Sequence, residues 1–138
     1  MFRRFASGSA VAAMAIAFAV LVVLLLPVGT QERFYPLTIA WCFVPAMWGL
    51  WAVFTPAGWM PQRLPFWGAI LGLMAGVLAA FVLNLPSRIL GQTVSVGFRG
   101  VGVVAMVAFY FFLWMLVRAA FRSLASPNSR GVDAIPGK

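Results

Sequence analysis

From Leu64 to Ser87 the chain runs without a charged residue. Crossing the roughly 30 Å hydrocarbon core of a bilayer takes about 20 predominantly apolar residues in helical form, and this stretch is long enough. Within it Gly68, Gly72, Gly76, Ala80 and Asn84 recur at every fourth position. Residues four apart share a helical face, so the spacing predicts a narrow ridge of small side chains. Such a ridge lets another helix backbone come close, a contact that lipid supplies less well. These five residues are therefore expected to form a helix-packing surface. Asn84 is the one embedded side chain with full hydrogen-bonding capacity, and is expected to cap the ridge by bonding a neighbouring helix or a loop carbonyl.

Composition extends the conclusion to the whole chain. Of 138 residues, 64% are hydrophobic and only 9% charged, against about 25% charged in soluble domains. A water-facing surface cannot be made from that material, so the class is integral membrane protein. At about 20 residues per crossing, four helices nearly exhaust the length. The expected fold is all-α: one four-helix transmembrane bundle over 1–126, with helices at about 9–28, 36–54, 65–85 and 98–122. A disordered polar tail is expected at 127–138.

In order, Met1 to Gly8 is a short basic start, and Ala10 to Leu26 is continuously apolar. A cleaved signal peptide is the alternative reading. The apolar core exceeds the usual 7–15 residues and no Ala-x-Ala site follows, which favours a retained first helix. Its alanines, Ala6, Ala10, Ala13 and Ala17, suit close packing. Gly29 to Tyr35, with Glu32 and Arg33, reads as a turn. In the second crossing Pro45 lacks an N–H and is expected to kink the helix. Trp41, Trp48 and Trp51 share much of one face there, which suits packing and interface anchoring or the lining of a pocket. Thr93 to Phe98 alternates polar and apolar side chains, as an extended or interface-lying segment does. Arg118 and Arg122, four apart at the end of the fourth crossing, are expected to reach lipid head groups.

With four crossings both ends share a side. Arg3, Arg4, Arg63, Arg118, Arg122, Arg130 and Lys138 then lie on that side, and Arg33, Arg88 and Arg99 on the other. Basic residues favour the cytoplasm, so both termini are expected there, in a plasma membrane of the bacterial inner-membrane type. The net charge of +8 fits contact with anionic lipid. No basic stripe with interleaved aromatics points to nucleic acid.

Chemistry is sparse. The chain has no histidine, one cysteine and two acidic residues. That excludes an internal disulfide, a Cys-x-x-Cys pair and the usual general base. Glu32 and Asp133 fall on opposite sides of the expected fold, so no carboxylate pair forms. No catalytic residue, cofactor or metal ligand is expected, and the protein is not expected to be an enzyme. Asn84 and Arg88, together with Gln92 and Arg99, are a candidate anion-friendly polar patch at the outer surface, the alternative being a solvated loop over lipid head groups. In size and helix count the chain resembles small multidrug-resistance transporters. Their first helix carries a proton-coupling glutamate, whereas Ala10 to Leu26 has no acidic residue, so that mechanism is not expected. The expected function is an accessory or assembly subunit, or a homo-oligomer, acting through helix packing with the bilayer, other membrane subunits or itself. The alternative is a small transporter or channel for an apolar, lipid-like or anionic solute.

Overall fold

The computed structural model describes residues 1–125; the tail expected at 127–138 lies outside the described residues. All regular elements among them are helical. α1 spans Phe2–Leu24 and so takes in the basic start that was expected to precede it. Pro27 disfavours helix in the residue before it. Gln31 Nε2 donates to the freed carbonyls of Leu24 (3.1 Å) and Leu26 (2.7 Å) at the end of the helix.

The expected turn at 29–35 is helical instead. α2 spans Val28–Trp41 and α3 Val44–Val53. Their largest bend, 54°, separates Val28–Tyr35 from Leu37–Val53 and so falls at Pro36, which has no N–H to give. Pro45 acts less as a kink than as a helix start. It lies in the first turn of α3, after a break at Cys42 and Phe43, where its missing N–H is an orphan in any case.

A loop leads to α4, Leu64–Val77, which continues as a π turn over Leu78–Val82. There Leu83 N–H reaches the carbonyl of Leu78 at 2.9 Å. Asn84 then adopts φ 50° and ψ 38°. This left-handed conformation is one that asparagine tolerates better than most residues, and it ends the helix. A short helix follows, α5 at Leu85–Leu90, then α6 at Val96–Ala125. The segment 93–98 is therefore only partly extended. Ser95 caps α6, its Oγ accepting from Phe98 N–H at 3.3 Å.

Among the described residues three helical stretches are long and apolar enough to cross a membrane: Phe2–Leu24, Leu64–Val82 and Val96–Leu124. The bent α2–α3 pair makes a fourth if counted as one span. α4 packs along α6, α1 along α3, and α1 also touches α6. The core of Val11, Ala12, Trp48, Ala52, Leu64, Trp114 and Val117 gathers where α1 and α4 begin and α3 and α6 end. Away from that end the packing loosens, and Met14, Phe18, Leu21 and Leu25 on and just beyond α1 are exposed.

Candidate functional site

The small-residue face of α4 meets α6 inside the same chain. Gly68, Gly72, Gly76 and Ala80 are all buried. A Cβ added at Gly68 would collide with the Trp114 side chain. One added at Gly72 would lie 2.7 Å from Tyr110 Cβ and 3.0 Å from the Met106 carbonyl oxygen. At Gly76 the nearest atoms, Met106 Cβ and Val103 Cα, stand at 3.3 Å. Residue numbers rise along α4 as they fall along α6, so the helices are antiparallel. The bulky side chains of α6 fill the groove of α4. Asn84 follows the π turn, at the left-handed residue before α5. Its Oδ1, which can only accept, is buried with no hydrogen-bond partner among the described residues.

A second close contact, not expected from the sequence, joins α1 to α3. Gly8 faces the Trp48 carbonyl, 2.7 Å from where its Cβ would be, and Gly49 faces Phe5 at 2.7 Å. Ser9 Oγ–H donates across the interface to the Pro45 carbonyl at 2.9 Å. The buried positions on α1 are Ser7, Gly8, Val11 and Ala12, whereas Ala10, Ala13 and Ala17 are exposed. The legible signal was Gly8 with Ala12, four apart, rather than the alanine content.

α3 and α4 are tied by two tryptophans. Trp51 Nε1–H donates to the Trp67 carbonyl at 3.1 Å, and Trp67 Nε1–H to the Trp51 carbonyl at 2.9 Å. Their rings stack with centroids 4.8 Å apart. Trp48 turns the other way, onto Tyr110 (5.0 Å) and Trp114 (5.8 Å). The three tryptophans of the second crossing therefore do not act as one stripe.

Beyond the core lie two apolar hollows that share Trp41 and Met106. One, of about 260 Å³, lies between α1, α3 and α6 and is bounded by Ala12, Ile16, Trp48 and Tyr110. The other, of about 340 Å³, lies between α2, α4, α5 and α6. Arginines bind backbone carbonyls at both ends of the molecule. At the core end Arg4 Nη1 donates to the Thr55 carbonyl (3.1 Å) and Arg118 Nη1 to that of Gln62 (3.5 Å). Arg118 thus holds a loop, a partner the head-group reading did not include, and Arg122 is exposed. At the other end Arg33 Nη1 donates to the Ile89 carbonyl (3.1 Å) and Arg99 Nη2 to Ser87 Oγ (3.3 Å). Arg88, exposed in the last turn of α5, shares this end with Asn84. The stronger polar feature here is the pair Arg33 and Arg99. Arg33 was read as a turn charge, and its tie to Ile89 crosses more than fifty positions of sequence, so no local pattern could reveal it.

Among the described residues no group of three or more His, Cys, Asp or Glu side chains could hold a metal ion. The walls of both hollows are apolar and aromatic apart from the Tyr110 hydroxyl and the indole N–H groups. Such surfaces hold hydrocarbon by shape. No family model, curated protein or solved structure matches this chain.

Proposed function

We propose that this is a non-catalytic integral membrane protein that works by packing within the bilayer, as an accessory or assembly subunit or as a homo-oligomer. It is a four-helix bundle with both ends in the cytoplasm, in a membrane of the bacterial inner type. One observation supports this reading most. The glycine face is engaged inside the chain, while Met14, Phe18, Leu21 and Leu25 stay exposed where α1 stands off from α6. Contact with a partner therefore falls to the far half of α1 rather than to Gly68, Gly72 and Gly76. Disulfide trapping in native membranes tests it, using Phe18→Cys in a Cys42→Ser background. A homo-oligomer gives a crosslinked dimer, and an accessory subunit a mixed adduct. If neither forms and the purified chain has monomer mass, the packing reading is lost.

A second reading, a transporter or channel for an apolar, lipid-like or anionic solute, is favoured by the hollow beside Trp41, Trp48 and Tyr110. Purified protein in vesicles would then carry such a solute faster than protein-free vesicles do. Equal rates would remove this reading.

A further inference from the structure

The hollow between α2, α4, α5 and α6 differs from the rest of the apolar surface in the arginines bound to α5, which closes one side of it. Leu37, Trp41, Gly76, Ala80, Gly102 and Met106 line it, and Pro86 and Ile89 of α5 close one side. Its volume of about 340 Å³ falls within the roughly 300–1,000 Å³ of small-ligand sites. Two guanidinium groups are tied to α5 next to these lining residues. Arg33 is held at the carbonyl of Ile89, itself part of the wall, and Arg99 at Ser87, the neighbour of Pro86. Ser87 and Ile89 lie within one helical turn, so the two cations are brought to the same short helix. A guanidinium carries five N–H donors, and each of these contacts engages one. Arg99 Nε is moreover buried with no partner among the described residues. An unmatched buried donor is costly, and a phosphate oxygen is an acceptor that would satisfy it.

We infer that this hollow is a binding site for one anionic phospholipid, with an acyl chain along Trp41 and Met106 and the phosphate on Arg33 and Arg99. An apolar slot with two arginines bound to Ile89 of its wall and to Ser87 beside it matches a molecule that is hydrocarbon at one end and anionic at the other. A partner helix would fill the slot but leave the arginines unanswered. The inference needs the chain in lipid and is independent of whether it works by packing or by transport.

The full chain is reconstituted into vesicles of phosphatidylcholine or phosphatidylglycerol brominated on the acyl chains, and tryptophan fluorescence is read. Flotation with the vesicles checks insertion separately, so failure to enter lipid is distinguished from failure of the site. The wild type should be quenched more by the brominated phosphatidylglycerol, and Trp41→Phe should remove most of that excess. Arg33→Gln and Arg99→Gln should each weaken selectivity roughly fivefold, the effect of about one basic contact with anionic lipid. Gly102→Leu should abolish the excess without lowering the melting temperature, because a side chain there meets nothing within 4 Å and projects from a lining position. Arg118→Gln, at the other end, should change nothing. Equal quenching by the two lipids, or an excess indifferent to Arg33, Arg99 and Gly102, overturns the site. So does quenching that falls as the protein-to-lipid ratio rises, which would mean a second copy occupies the slot.

Discussion

At the scale of single residues the glycines differ sharply in what they tolerate. Gly68→Ala and Gly72→Ala drive a methyl group into Trp114 and Tyr110. Overpacking of this kind costs about 1–3 kcal/mol, so both variants should melt earlier in detergent, as read by tryptophan fluorescence. Gly76→Ala has 3.3 Å to its neighbours and should cost less, and Gly29→Ala, with nothing within 4 Å, should cost little. If Gly68→Ala melts with the wild type, the contact with Trp114 is not tight. Asn84 is a different case, because its backbone is left-handed. Asn84→Leu puts a bulky side chain at positive φ, at about 1–2 kcal/mol, whereas Asn84→Gly keeps the conformation and removes only the carboxamide. The glycine variant should fold like the wild type and the leucine variant should melt earlier; the reverse order would assign Asn84 a side-chain role instead. The period-four spacing made the burial-prone face readable. It could not reveal that Asn84 turns the chain, because the π turn before it shifts the register.

At the scale of elements the Trp51 and Trp67 pair joins α3 to α4 by two reciprocal hydrogen bonds and a stacked ring contact. An aromatic pair contributes about 0.5–1.5 kcal/mol beyond burial, and a hydrogen bond within the membrane about 0.6. Trp51→Phe and Trp67→Phe should therefore be non-additive, the double variant losing less than the sum of the singles. A double-mutant cycle on melting in detergent measures this, and strict additivity would show the rings to be independent. The long apolar helices were legible from run length, whereas the helical stretch at 29–35 and the short α5 were not. Nor was helix partnership. Trp51 read as packing, an interface anchor or a pocket wall, and the alanines of the first crossing and the glycine ridge both suited close packing. The choice was made by the complementary bulk of Met106, Tyr110 and Trp114 on α6, which only a pairwise fit reveals. The prolines show the same limit. Each marks a break in hydrogen bonding, but the 54° bend fell at Pro36 and a fresh helix start at Pro45.

At the scale of the molecule the chain is tight at one end and loose at the other. The core collects near Leu64, Trp114 and Val117, and the hollows lie beyond it. Arg4 and Arg118 fasten the tight end, and Arg33 and Arg99 the loose one. If both termini are cytoplasmic, a phosphatase reporter fused after Lys138 should be inactive and a cytoplasmic fluorescent reporter active, and the opposite result would invert the assignment. That orientation was argued from charge counts alone, and the carbonyl contacts of Arg4, Arg33 and Arg118 show that these cations also have structural partners.

The pairing of α4 with α6 has a consequence for how the protein is made. A ribosome finishes the glycine groove well before it reaches Met106, Tyr110 and Trp114, the side chains that fill it. For a chain inserted as it is made, that interval leaves the groove of α4 without the side chains that fill it, and its final packing waits for the last helix.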